Sequence, residues 1–169
     1  GVWHLSDGTT LGANDSTANA NNGLILGPIA TAGQINGAGS FDGIDDYISI
    51  SDSNSWNITA SDGTISAWFY VDTMPATAVD AGGLVSQIDN DQNWVVYYYG
   101  DGRIATGIAG VNEIVSAAGV VSSGQGYNAV VVKSAGITTL YVNAANVASD
   151  TMAVWTDSSN PLLIGGHTY

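Results

Sequence analysis

The sequence predicts an all-β sandwich or barrel. Short runs of β-branched and aromatic residues recur at intervals of about 8–12 residues, separated by Gly, Asn, Asp and Ser. Of the 15 acidic residues only Glu113 is a glutamate, and the chain has only two Lys and Arg residues. Residues typical of soluble helices are therefore scarce, whereas the turn-former Asp is abundant. Because no Pro/Gly/Ser-rich linker divides the chain, we expect residues 1–169 to form one domain.

The clearest predicted strand spans residues 64–71. Strict alternation gives it a core face with four residues, Ile65, Ala67, Phe69 and Val71. The opposite face holds Ser66, Trp68 and Tyr70, which we expect to lie outside the core. In the run 94–99, alternation separates Trp94, Val96 and Tyr98 from Val95, Tyr97 and Tyr99.

The other predicted strands follow from shorter runs of the same type. Gly100-Asp101-Gly102 and Ser134-Ala135-Gly136 each predict a tight hairpin, since glycine supplies positive φ. The remaining strands are predicted at 2–5, 47–50, 83–88, 103–108, 128–133, 137–142 and 162–164. Weak strands are expected within 105–126, for a total of about ten to thirteen strands and no helix.

The charge balance excludes several classes of partner. Two basic and 15 acidic residues give a net charge of −13, so the chain cannot neutralise phosphates. We therefore expect no nucleic-acid partner.

No apolar run reaches the roughly 18 residues of a membrane span, so no membrane insertion is expected. The absence of cysteine excludes disulfides and thiolate metal sites.

Five segments in a fixed order resemble one family. They are G-V-W-H-L at 1–5, D-S-T-A-N-A-N-N-G at 15–23, G-S-F-D-G-I-D-D-Y-I at 39–48, T-I-S-A-W-F at 64–69, and T-L-Y-V-N at 139–143 with L-I-G-G at 163–166. Together they resemble the laminin-G-like branch of the concanavalin A-like lectin/glucanase superfamily. The resemblance implies an antiparallel two-sheet jelly-roll sandwich.

The resemblance also implies a closing C-terminal strand after L-I-G-G, and this sequence shows none. That strand would pair beside the predicted N-terminal strand at 2–5. An unpaired edge invites aggregation. We therefore expect a neighbouring chain, or a segment outside these residues, to cover it.

A structural calcium ion is the first candidate ligand. Relatives of this kind often carry one beside an early loop, and Asp15, Asn19 and Asn21 could supply oxygen ligands there. The alternative is that these residues only form turns. A second acidic group, Asp42, Asp45 and Asp46, is interpreted as a solvated turn.

Aromatic residues are the second candidate. The chain has five Trp and eight Tyr but only two Phe, and rings with a polar group suit half-exposed surfaces. Sugars present C–H faces that stack on such rings. The sequence thus predicts one carbohydrate-binding face built from Trp68, Tyr70, Tyr97 and Tyr99. The alternative is that these rings fill cross-strand pairs or a subunit interface.

Catalysis is not expected. Glycosidases use two flanking carboxylates. Here Glu113 has no acidic partner two residues away, and no strand shows such a pair of Asp residues. The run containing Gln87 is similar to one element of alginate lyases in the same superfamily, but the companion motifs are missing.

The sequence supports two functional hypotheses. The first is a non-catalytic carbohydrate-binding or adhesion module outside the cell, on a cell surface or a virion surface, with glycan as its partner. The second is a structural surface module, such as a virion decoration or fibre domain, that assembles with neighbouring chains. Its basis is the Gly/Ala/Ser/Thr/Asn-rich composition and the missing closing strand.

Overall fold

The protein is all-β, as predicted. The computed structural model describes residues 1–5, 9–34, 36–58, 62–87, 94–108, 112–151 and 158–166. These residues hold one short 3-10 turn, Asn54–Trp56, and thirteen strands. The strands are β1 (Gly23–Leu26), β2 (Ile29–Thr31), β3 (Ala38–Ser40), β4 (Tyr47–Ile50), β5 (Gly63–Val71), β6 (Ala81–Gln87), β7 (Trp94–Tyr99), β8 (Ile104–Ile108), β9 (Asn112–Val115), β10 (Gln125–Ser134), β11 (Ile137–Val142), β12 (Ala145–Asp150) and β13 (Leu162–Ile164).

Two main antiparallel sheets form the sandwich. The seven-stranded sheet has the order β1-β4-β13-β6-β7-β8-β9, and the four-stranded sheet has the order β12-β11-β10-β5. A small third sheet pairs β2 with β3. The predicted jelly-roll sandwich is confirmed. No helix in the described part of the chain has the length and apolar character needed to cross a membrane.

The core lies between the two main sheets. The seven-stranded sheet contributes Ile48, Ile50 and Ile104, and the four-stranded sheet contributes Val131 and Leu140. Phe69 on β5 joins the layers, because its ring centroid lies 5.9 Å from that of Tyr98 on β7 and 5.5 Å from that of Tyr127 on β10. Aromatic contacts at these distances add to the burial of apolar area.

Alternation predicted the faces of β5 and β7 correctly. Ile65 and Phe69 pack against the core, whereas Trp68 and Tyr70 are exposed. In β7, Trp94, Val96 and Tyr98 belong to the main core. Val95, Tyr97 and Tyr99 form a separate cluster on the other face of the same sheet.

Both predicted hairpins are present. Tyr98 of β7 pairs with Ile104 of β8, and Gly102 in the turn between them has a φ of 81°. Ser134 of β10 pairs with Ile137 of β11 across Ala135 and Gly136, which both have positive φ. Glycine adopts this left-handed region without strain, which explains its place in each turn.

The N-terminal strand prediction is wrong. In residues 1–5 the structure forms a single β-bridge, between Trp3 and Asp15, and Leu5 has a φ of 49°. The expectation that a neighbouring chain or a further segment covers an edge strand at 2–5 therefore loses its basis. The predicted strand 83–88 is observed as Ala81–Gln87, and residue 88 lies outside the described residues.

Candidate functional site

The four predicted carbohydrate-binding residues lie on two different surfaces. Trp68 and Tyr70 lie on the outer face of the four-stranded sheet, while Tyr97 and Tyr99 lie on the outer face of the seven-stranded sheet. Because the two sheets pack through their inner faces, these outer faces point in opposite directions. The prediction that all four rings share one face is wrong.

The first surface, here called the aromatic surface, consists of Trp68, Tyr70, Ser66 and Asn128. Trp68 is 77% exposed and Tyr70 is 63% exposed. Side chains two residues apart on a strand share a face, about 6–7 Å from each other. The two rings therefore lie on the same outer face of β5.

Asn128 supplies the polar group beside these rings. It lies directly across from Trp68 on β10, and its Nδ2 donates to Ser66 Oγ at 3.2 Å and to the Ala67 carbonyl at 3.3 Å. These bonds hold the amide next to the indole. The sequence analysis missed Asn128, although an outward-facing Asn in a Val-rich strand could have been noticed.

The second surface is the tyrosine–glutamate cluster, which consists of Tyr97, Tyr99, Asp101, Arg103 and Glu113. The Tyr97 and Tyr99 hydroxyls lie 3.0 Å apart, and Tyr99 donates to both carboxylate oxygens of Glu113 at 3.1 and 3.2 Å. Tyr97 is only 1% exposed, and burial raises its pKa far above the usual range. Tyr97 therefore cannot stack on a ligand and stays a neutral phenol.

Arg103 covers part of Tyr99. Its guanidinium carbon lies 4.3 Å from the centre of the Tyr99 ring, and its Nε pairs with Asp101 at 2.8 Å. Its Nη2 donates to the Ala78 carbonyl at 3.1 Å. Burial opposes ionisation of Asp101, but the hydrogen bonds from Arg103 lower its pKa. These contacts join the turn after β7 to the loop before β6, which is a structural role.

Asp15, the first of the proposed calcium ligands, is already hydrogen-bonded within the chain. The Asp15 carboxylate accepts from the backbone N–H groups of Val2, Thr17 and Asn21 at 2.9–3.1 Å, and from the Thr17 hydroxyl at 2.8 Å. A carboxylate has about four acceptor positions, so donors of the chain already occupy Asp15. Asn19 is exposed, and the backbone carbonyl of Asn21 accepts from the Trp3 indole N–H at 2.9 Å. A calcium ion at this loop therefore gains no support from these hydrogen bonds and stays a prediction.

Asp15 instead connects the N-terminal segment to the loop at 15–22. The hydrogen bond from the Val2 backbone lowers its pKa well below the usual value of 3.8. A carboxylate whose pKa is lower in the folded state than in the unfolded state stabilises the fold at pH values above its unfolded-state pKa. This contribution disappears as the pH falls through the folded-state pKa.

We expect Asp15→Asn to lower the melting temperature at pH 7, and the difference in melting temperature from wild type to shrink as the pH falls below 4.

Thermal melts monitored by circular dichroism between pH 2 and pH 7 check this prediction. Asp72→Asn is the control, because it removes the same charge from an exposed position. An Asp15→Asn variant that melts with wild type at pH 7 would contradict the role assigned to Asp15.

The acidic group Asp42, Asp45 and Asp46 lies in an exposed turn. Carboxylate oxygens of the three residues lie within 4.8 Å of one another. Asp42 Oδ1 accepts from the Ile44 N–H at 2.8 Å, which lowers the pKa of Asp42, and Asp46 Oδ2 accepts from the Asp42 N–H at 2.9 Å. These hydrogen bonds stabilise the turn between β3 and β4, which agrees with the interpretation of this acidic group as a solvated turn.

Gln87, in the run that is similar to an alginate-lyase element, makes hydrogen bonds within the fold. It is fully buried at the end of β6, and its Nε2 donates to the Ser158 carbonyl at 3.0 Å, the Asn160 carbonyl at 3.1 Å and Asp52 Oδ1 at 3.2 Å. One side chain thus connects three segments that are distant in sequence.

Comparison with known proteins identifies the family. A family model described as concanavalin A-like lectin/glucanases superfamily matches residues 42–168. No curated protein matches the chain.

Solved structures show the same fold at low identity. Domain 4 of AbnA, an extracellular arabinanase from Geobacillus stearothermophilus solved in complex with arabinotriose, is 17% identical to this chain, with a TM-score of 0.68. The alignment covers 94% of this chain and 80% of that one. The botulinum neurotoxin serotype D binding domain is 11% identical with a TM-score of 0.64, over 95% of this chain and 44% of that one. This chain thus spans less than half of the toxin domain. From the family match, this chain belongs to the concanavalin A-like lectin/glucanase superfamily.

Proposed function

We propose that the protein is a non-catalytic carbohydrate-binding module and that the aromatic surface is its binding site. The observation that carries this proposal is the exposure of Trp68 and Tyr70, side by side on the outer face of β5. Neighbouring exposed apolar side chains, unlike single scattered ones, often mark an interaction site. Sugar rings suit this surface, since their C–H faces stack on aromatic rings while hydroxyls bond to Asn128 and Ser66.

The charge distribution favours neutral glycans. Asp62 and Asp72 flank β5 at its two ends, and the whole chain carries a net charge of −13. Anionic sugars such as sialylated or uronic-acid glycans would be repelled. We therefore propose a neutral oligosaccharide as ligand, and the arabinotriose bound by the AbnA domain is one of this class.

Binding without bond cleavage agrees with the residue types of this surface. Trp68, Tyr70, Ser66 and Asn128 carry no carboxyl group, whereas glycoside hydrolysis requires a pair of them. The single glutamate of the chain, Glu113, accepts hydrogen bonds from Tyr99 on the other sheet. An extracellular location is part of the same proposal and is supported by the comparison with a domain of an extracellular arabinanase.

Isothermal titration calorimetry tests the proposal. Arabinotriose, cellotriose and maltotriose represent neutral ligands, and sialyllactose represents an anionic one. For a neutral sugar that binds, we expect Trp68→Ala to remove about 1.5–3 kcal/mol, or roughly tenfold or more in affinity.

The matched control is Ile44→Ala, which removes an exposed apolar side chain (87% exposed) from a turn away from this surface. We expect it to leave the affinity unchanged. Equal affinity of wild type and Trp68→Ala for a sugar that binds would exclude the aromatic surface as the site.

A further inference from the structure

A further tyrosine lies on the same outer face as the aromatic surface. Leu140 and Val142 on β11 belong to the core, so Tyr141 between them lies on the outer face of the four-stranded sheet. Tyr141 is half-buried. It lies directly across from Val130 on β10, and Val130 lies directly across from Ser66 on β5. Tyr141 and the aromatic surface therefore belong to one face that extends over three adjacent strands.

The surroundings of Tyr141 repeat those of Trp68. Asn128 lies directly across from Trp68 on the neighbouring strand, and Asn146 on β12 lies directly across from Tyr141. Opposite side chains on paired strands share a face, with Cβ atoms about 4.5–5.5 Å apart. Each ring thus has one carboxamide beside it, and Asn146 is exposed. A carboxamide both donates and accepts hydrogen bonds, which suits the hydroxyl groups of a sugar.

A bulge keeps the outer face polar at β12. The pairing of β12 with β11 contains a register shift, and Val147 and Ala148 both pack against the core. Residues three apart on a regular strand point to opposite faces, but the extra residue of the bulge leaves both Asn146 and Ser149 outside. The Ser149 hydroxyl lies 3.0 Å from that of Thr139 on β11. Polar groups therefore line this side of the face.

The separation of the two rings indicates how they share a ligand. Neighbouring strands lie about 4.8 Å apart, and a strand rises about 3.4 Å per residue. Tyr141 lies two strands and two residues away from Trp68, so their Cα atoms are roughly 12 Å apart. One sugar ring is shorter than this and cannot stack on both. The side chains between them, Ser66, Asn128 and Val130, are smaller than either ring, which leaves room for an intervening sugar unit.

The position of Tyr141 within the sheet is fixed on both sides. Strand β11 pairs with β10 on one side and with β12 on the other, so this position does not depend on what lies beside β5. The outer-face neighbours Val130, Thr139 and Asn146 are uncharged. These surroundings suit a neutral ligand.

We propose that Tyr141 and Asn146 form a second sugar-binding position, here called the distal position, and that the ligand is a linear neutral oligosaccharide longer than a disaccharide. This inference rests on the proposed function, because Trp68 supplies the first stacking ring. One unit stacks on Trp68, a following unit lies beside Asn128, and a further unit stacks on Tyr141. The protein therefore recognises a stretch of glycan chain that crosses β5, β10 and β11, and not a single terminal sugar.

Isothermal titration calorimetry with arabino-, cello- and malto-oligosaccharides of increasing length tests the distal position. For the series that binds, wild-type affinity should increase about tenfold from the disaccharide to the longest chain, because only longer chains contact both rings. Tyr141→Ala should remove this increase and leave the affinity for the disaccharide unchanged. Trp68→Ala should instead weaken the binding of every member of the series.

Tyr47→Ala is the matched control, since Tyr47 is also half-buried but lies on β4 of the other main sheet. It should bind short and long chains as wild type does. Asn146→Ala changes an exposed position, so it tests the distal position even if Tyr141→Ala fails to fold, and it should lower long-chain affinity about threefold. In NMR spectra of the wild type, the Asn146 side-chain amide should shift with the longer chains and not with the disaccharide.

Two results overturn the distal position. One is a wild type with equal affinities for the disaccharide and its longer homologues, and the other is a Tyr141→Ala variant that keeps the gain with length. In either case, binding that still requires Trp68 leaves the proposed function in place. A protein that binds none of these sugars overturns both the distal position and the proposed function.

Discussion

Replacing Leu140 by alanine is expected to lower the free energy of unfolding by about 2–5 kcal/mol. Leu140 is fully buried on β11, a central strand of the four-stranded sheet, and it belongs to the core that both main sheets share. Removing its side chain leaves a cavity that two hydrogen-bonded sheets cannot close easily. Urea unfolding followed by tryptophan fluorescence measures the change.

The control is again Ile44→Ala, whose exposed side chain should contribute less than about 0.5 kcal/mol. A Leu140→Ala variant as stable as this control would mean that the space between the two sheets is not the folding core.

Replacing Gln87 by methionine is expected to cost about 1–3 kcal/mol. Methionine keeps the length of the side chain but cannot donate the hydrogen bond that Gln87 Nε2 donates to the Ser158 carbonyl. Both residues are buried. A buried carbonyl that loses its donor incurs a desolvation penalty. The same urea titration gives the value, and the segment that precedes β13 should lose amide protection in hydrogen exchange.

Gln125→Met serves as the comparison, since Gln125 is exposed at the start of β10. Equal stabilities of the two methionine variants would show that Gln87 does not connect these segments.

The sequence analysis was most successful where strands alternate strongly. Residues 64–71 and 94–99 have long β-branched and aromatic runs, so both the strands and their faces could be predicted. The short strands β1, β2 and β3 were missed because they contain three or four residues among glycines and alanines. The N-terminal strand was predicted wrongly because the backbone N–H of Val2 donates to the side-chain carboxylate of Asp15 and not to a neighbouring strand.

The binding surface could be predicted only in part. Alternation places Trp68 and Tyr70 outside the core, and that was sufficient to select them. It places Tyr97 outside the main core by the same rule, but alternation does not show that this ring is buried in a second cluster. Sheet membership also depends on pairings between distant segments, so the sequence could not reveal that β5 and β7 face opposite directions.

Chemical-shift mapping by NMR with a neutral oligosaccharide tests the central claim most directly. Titration should produce its largest changes at the Trp68 indole, at the amides of Ser66 and Tyr70, and at the Asn128 side chain. Shifts centred on Tyr99 and Glu113, with the Trp68 indole unmoved, would contradict the account and transfer binding to the seven-stranded sheet.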